Sequence, residues 1–150
     1  MSISYAILEG EATHLEQVYA LINELAVFEK EPTAVTNTVE QLKIDFSNQL
    51  FKFKVVEREN SVIGFALYYF RYSTWKGKCI YLEDFYIQPA FRSLGIGGML
   101  FDAVLQFAKH EGCQLLTWQV LDWNKEAIRF YRDKGAKIDE TWFNGSIKIV

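Results

Sequence analysis

The stretch from Tyr81 to Leu100 concentrates the chain's candidate chemistry. A β-branched and aromatic run carrying Glu83 ends at Pro89, a loop with Arg92 follows, and glycines at 95, 97 and 98 lead into a helical pattern. Strand, Gly-rich turn and helix N-terminus in this order make a phosphate-binding arrangement. Backbone N–H groups without helical partners and the positive end of the helix dipole then face one point. A Walker loop needs Lys-Ser or Lys-Thr after its last glycine, and Met99-Leu100 stand there instead. The dinucleotide fingerprint needs a glycine three places after Gly97, where the chain has Leu100. What remains is Arg92-Ser93-Leu94-Gly95-Ile96-Gly97, an R-x-x-G-x-G pattern. By themselves these residues leave open a diphosphate loop and a plain turn. Gly97 and Gly98 in a first helical turn cost about 1 kcal/mol each relative to Ala. That cost favours the close approach of a ligand, which glycines at 95 and 97 permit because they lack Cβ.

Glu83 is the candidate base. A period-two strand puts it on one face with Tyr81 and Phe85, with Asp84 pointing the other way, and an apolar flank raises a carboxylate's pKa toward neutrality. Tyr131 is a candidate acid: it follows Asn124 by seven residues and Ile128 by three, on one face of a helix. A phenol with a pKa near ~10 is protonated at neutral pH and can donate.

The elements that position these residues are read from periodicity and punctuation. Tyr5 to Leu8 predicts a first strand. Thr13-His14-Leu15-Glu16 is a capping-box pattern opening a helix to about Phe28, and Thr38-Val39-Glu40-Gln41 is a second, opening a helix to about Phe46. Phe51 to Val55, Val62 to Tyr72 and Cys79 to Ile87 predict a three-stranded meander. The helix after Gly95 buries Leu100, Val104, Phe107 and Ala108 and stops at Gly112. Leu115 to Val120 is a strand, Lys125 to Lys134 a helix, and Lys137 to Val150 a final hairpin around Asn144-Gly145. The order β-α-α-β-β-β-α-β-α-β-β, without linker or repeat, predicts one α+β (α/β) domain over residues 1–150 with a mixed, mainly antiparallel sheet and about four helices.

Composition narrows the function. The chain has 150 residues, half of them hydrophobic and 16% aromatic, so a packed core is expected. A net charge of −3 gives no basic field for nucleic acid, and no apolar run approaches the length of a membrane span. Cys79 and Cys113 are isolated and His14 and His110 lie far apart, so no metal site is expected. Reduced thiols and the absence of a signal-peptide pattern lead to the expectation of a cytoplasmic protein.

The R-x-x-G-x-G loop in this element order resembles the pyrophosphate loop of the GNAT acyl-CoA N-acetyltransferases. Tyr81-Leu82-Glu83-Asp84 precedes the loop by the family's usual distance, Asp122-Trp123-Asn124 opens the later helix, and Phe130-Tyr131 lies within it before Gly135-Ala136. Together these strings resemble the diamine acetyltransferase branch, which includes spermidine/spermine and thialysine Nε-acetyltransferases. Phe28-Glu29-Lys30, Tyr72-Ser73-Thr74-Trp75-Lys76-Gly77 and Leu121-Asp122-Trp123-Asn124 favour the thialysine side. The resemblance runs from the first helix to about Ala136. The C-terminal end is shorter than the family's usual tail and matches weakly, so no tail contact is carried over.

The resemblance implies a GNAT fold, acetyl-CoA as co-substrate and a homodimer. It implies acetyl transfer to a primary amine of a small polyamine-like or thialysine-like molecule by direct attack, without an acyl-cysteine. It implies Glu83 as base through a water and Tyr131 as acid beside the coenzyme sulfur. For the coenzyme it implies strand-edge groups of Phe85, Tyr86 and Ile87, the loop Arg92, Ser93, Leu94, Gly95, Ile96, Gly97 and Gly98, and the helix start Asn124, Lys125, Glu126 and Ala127. Asn124 also sits where a helix N-cap belongs. Phe28, Glu29 and Glu83 match positions lining the amine pocket, to which Thr117, Trp118 and Gln119 add a wall. The rival readings are a protein or peptide N-acetyltransferase and a non-catalytic acyl-CoA-binding module.

Overall fold

A computed structural model describes residues 4–149, which divide after Gln119 into two compact units. The first unit holds a five-stranded open sheet in the order β1-β2-β3-β4-β5: β1 is Ala6–Glu9, β2 Lys52–Arg58, β3 Ser61–Ser73, β4 Gly77–Ile87 and β5 Leu115–Trp118. Three neighbouring pairs are antiparallel, and β4 with β5 is parallel. The parallel pair is bridged by the helix α3, Ile96–His110, as a crossover requires. Helices α1, Leu15–Phe28, and α2, Val39–Ser47, precede β2.

Period-two burial assigns the faces. Phe53, Val55, Phe65, Leu67 and Tyr86 pack with Leu15, Val18 and Leu21 of α1 and Leu42 of α2. On the opposite face α3 buries Ile96, Leu100, Phe101, Val104 and Ala108, with Phe107 against the Tyr68 ring and Phe101 against the rings of Phe85 and Trp118. Gly64 lets β3 and β4 close up: a Cβ there would stand 2.8 Å from the Tyr86 carbonyl oxygen.

The helix caps differ in how far the sequence foretold them. Thr38 caps α2 as read, its Oγ1 accepting from the Gln41 N–H at 3.1 Å. The box expected at Thr13 does not form. A short 3₁₀ turn, Ala12–His14, precedes α1, and the Glu11 N–H donates to His14 Nδ1 at 3.0 Å. Entry two residues earlier lets Glu11 take the N-cap place, which leaves Thr13 inside the turn.

The second unit, Val120–Val150, contains α4, Lys125–Asp133, closed by Gly135 at a φ of 90°. The hairpin expected over Lys137 to Val150 is not formed across 137–149, and Val150 lies outside the described residues. Local hydrogen bonding competes with strand pairing there. The Asp139 carboxylate accepts from the Thr141 N–H at 2.9 Å, from the Thr141 hydroxyl and from Trp142 Nε1 at 3.0 Å. A two-stranded ribbon alone is marginal in water. Trp142, Phe143, Ile147 and Ile149 are exposed, so no buried face rewards the pairing.

Candidate active site

The site's geometry begins with a bulge. Between β3 and β4 the partners are Leu67 with Asp84 and then Tyr68 with Leu82, so Glu83 is the extra residue of β4. One unpaired residue shifts the alternation of side chains along the strand. Asp84 therefore lies opposite Leu67 on the α1–α2 face, while Phe85 faces Phe101 of α3. The face shared by Tyr81, Glu83 and Phe85, expected from strict alternation, does not exist.

Glu83 stands out of the ladder and is exposed, its Oε2 accepting from the Tyr69 hydroxyl at 3.2 Å. Tyr69 is the cross-strand partner of Tyr81, with ring centroids 5.5 Å apart, and the Arg71 guanidinium lies 5.9 Å from the Tyr81 ring. Burial and the Glu83 charge push the phenols of Tyr69, to about 12, and Tyr81 upward, so both stay protonated in the working range. The apolar surroundings expected for Glu83 belong to Asp84. Burial first, then the charges of Glu83 and Glu29, push its carboxyl up to about 7. Glu29, at the C-cap of α1, is itself raised by burial. The end of α1 thus brings one carboxylate toward two on the bulge.

The remaining first-unit residues border this place. Thr117 pairs with Tyr81 and Trp118 with Leu82, and Gln119 ends the unit. Phe28 lies under the Arg92 guanidinium at 5.1 Å, and Tyr86 meets the same group at 5.3 Å. Arg92 Nε donates to the Ile87 carbonyl at 2.7 Å, which fixes the strand end to the loop. Sequence reasoning missed Tyr69, Asp84 and Glu24. Glu24 accepts from the Tyr86 hydroxyl at 3.2 Å and from Gln88 Nε2 at 3.1 Å.

Two features suit a nucleotide thioester. Registered pairs between β4 and β5 run from Cys79–Leu115 to Leu82–Trp118, so β4 residues 83–87 extend past the end of β5. Past Arg92, Ser93 and Gly95 are both left-handed, at φ 63° and 81°, and Gly95 is the N-cap of α3. A left-handed serine is uncommon and costs strain. Met99 N–H donates to the Gly95 carbonyl at 3.2 Å, so Gly95 opens the helix, and the first turn of a helix points its N–H groups outward along the axis. Among the described residues, apart from its chain neighbours and the helix's own backbone, no heavy atom comes within 4 Å of a Cβ built on Gly95. The donors, the dipole and the open space fit a diphosphate.

In the second unit Asn124 caps α4, its Oδ1 accepting from the Ala127 N–H at 3.2 Å. Lys125, Glu126 and Ala127 form that helix's first turn, and Tyr131 follows about one turn after Ala127. Lys125 Nζ donates to the Asp122 carbonyl at 3.1 Å. Among the described residues no group of three or more His, Cys, Asp or Glu could hold a metal ion.

Comparison with known proteins agrees with this geometry. The chain is 38% identical over 128 residues to a thialysine N-epsilon-acetyltransferase of Caenorhabditis elegans, covering 85% of this chain and 80% of that one. It is 39% identical over 141 residues to a thialysine N-epsilon-acetyltransferase of Bos taurus, covering 87% and 83%. The fold matches a crystal structure of an aminoglycoside N-acetyltransferase in complex with CoA, with a TM-score of 0.79 at 16% identity over 99% of this chain and 98% of the other. Residues 15–136 match the acetyltransferase (GNAT) family model, and the chain belongs to that family as an acetyl-CoA-dependent N-acetyltransferase.

Proposed function

We propose that the acyl acceptor is a primary amine of a small polyamine-like or thialysine-like molecule. The observation that carries this reading is the approach of Glu29 to the bulge that presents Glu83 and Asp84. Three carboxylates beside the aromatic rings of Tyr69 and Tyr81 suit a compact cation with a second polar or charged group. The names of the relatives from C. elegans and B. taurus support the same class.

An alkylamine with a pKa near ~10.4 arrives as an ammonium and must shed a proton before it can attack. Glu83 takes that proton through a water. The nitrogen lone pair then adds to the thioester carbonyl, and the C–S bond breaks as the tetrahedral centre collapses. Tyr131 supplies a proton to the departing thiolate, and its phenolate regains one from the nitrogen, which sheds its second proton as the amide and free coenzyme form. Main-chain N–H groups between Ser93 and Gly98 hold the diphosphate. The edge at Phe85, Tyr86 and Ile87 and the helix start Asn124, Lys125, Glu126 and Ala127 hold the pantetheine arm. Phe28, Thr117, Trp118 and Gln119 line the amine side.

The reading extends to one catalytic domain that works as a cytoplasmic homodimer without a metal. Free Cys79 and Cys113 support the compartment. Thiol release from acetyl-CoA with spermidine, putrescine, thialysine, lysine and monoamines as acceptors tests the substrate class. The highest kcat/KM is expected among the diamines and thialysine. Equal rates with simple monoamines, or turnover only with peptides, would refute it.

A further inference from the structure

We propose that Tyr69 is a positioning residue for the base, a phenol that fixes the rotamer of Glu83 and reserves one of its two carboxylate oxygens for the incoming amine. This rests on the reading of Glu83 as base.

Three observations carry it. First, Glu83 is the bulged residue of β4, so neither an opposite residue nor a buried neighbour on the ladder holds its side chain. An exposed glutamate with three rotatable side-chain bonds samples many rotamers, and proton transfer requires one of them. Second, the Tyr69 hydroxyl donates to Oε2 at 3.2 Å, and no hydrogen bond to Oε1 occurs among the described residues. The oxygen that Tyr69 engages is less available to a water or an amine, and the other is presented to it. Third, the phenol is itself held. Its ring lies 5.5 Å from that of its register partner Tyr81, which in turn carries the Arg71 guanidinium at 5.9 Å. A donor anchored by its ring can orient a mobile acceptor, whereas two mobile groups would only form a transient pair.

The charged neighbours leave the donor intact. Burial and the negative charge of Glu83 push the Tyr69 phenol up to about 12, so it keeps its proton across the range in which the enzyme works. Asp84 and Glu29 face the same region, but among the described residues neither is hydrogen-bonded to the Glu83 carboxylate, which leaves the orienting role to Tyr69.

The test is a double-mutant cycle of Tyr69→Phe and Glu83→Gln, reading kcat, KM for both substrates and melting temperature, with residual rates measured at high enzyme concentration. Tyr69→Phe keeps the ring and removes only the donor. The expected result is a roughly tenfold fall in kcat, the size of one charge-assisted hydrogen bond. KM for acetyl-CoA should stay within about twofold and the melting temperature within about 2 °C, which a merely structural role would not give. Added to Glu83→Gln, the same substitution should change the residual rate by less than about twofold. A Tyr69→Phe enzyme with wild-type kcat, or a tenfold loss that recurs in full on top of Glu83→Gln, would overturn the positioning role and leave the base in place. A Glu83→Gln enzyme with wild-type kcat would overturn the base assignment itself.

Discussion

Replacing Asp84 by Asn should stabilise the protein in a pH-dependent way. Asp84 is half-buried opposite Leu67, with the Glu83 and Glu29 charges nearby, and its carboxyl is pushed from 3.8 up to about 7. Because the folded pKa lies above the unfolded one, the folded chain binds the extra proton between those values. Stability is then fully present below about pH 4 and declines as pH rises toward about 7, by about 1.4 kcal/mol per unit. Asn carries no charge, so its advantage over Asp grows across that window. Between pH 5 and pH 8 the gain should increase by about 2–3 kcal/mol, or about 4–10 °C in melting temperature for a chain of this size. Thermal melts of both proteins in matched buffers at the two pH values measure it, and any loss of a hydrogen bond by Asn cancels in the difference between them. The same offset at pH 5 and pH 8 would refute the reasoning, because Asp84 would then be ionised in the folded and unfolded chain alike.

Three further outcomes follow from the same geometry. Gly64→Ala places a methyl 2.8 Å from the Tyr86 carbonyl oxygen and 2.5 Å from Ile87 Cδ1, and should lower stability by about 3 kcal/mol in urea titrations, the upper end for overpacking. Gly95→Ala meets no atom within 4 Å but must hold a φ of 81°, so it should cost about 1–2 kcal/mol and raise KM for acetyl-CoA more than KM for the amine. Glu83→Gln and Tyr131→Phe should each lower kcat by about 10²-fold or more, the range for loss of a general base or acid, with little change in coenzyme affinity by titration. A loss under twofold in both would remove those two roles.

Much of this was legible in the chain before its fold was known, and the exceptions have physical causes. The Thr38 cap and the stops at Gly112 and Gly135 were readable because each uses local chemistry: a side-chain acceptor in one case, a left-handed glycine in the others. The glycines at 95, 97 and 98 were readable as the opening of a helix, which Gly95 caps at a φ of 81°. The bulge at Glu83 was not. It carries no glycine or proline to mark it, and it exists only as a mismatch of register between two strands. That single displaced residue hid three facts at once: the face on which Asp84 lies, the pairing of Tyr69 with Glu83, and the separation of Glu83 from Phe85. The missing C-terminal hairpin is the reverse case. Asn144-Gly145 is a strong turn dipeptide, but a turn needs strands with something to bury, and Trp142, Phe143, Ile147 and Ile149 have no such surface.

The proposed chemistry depends most on where the coenzyme lies. A crystal structure with CoA bound should place the diphosphate oxygens within hydrogen-bonding distance of the main-chain N–H groups between Ser93 and Gly98, with the pantetheine along the part of β4 that outruns β5. Coenzyme bound elsewhere, or side chains filling that edge while the protein remains active, would contradict it.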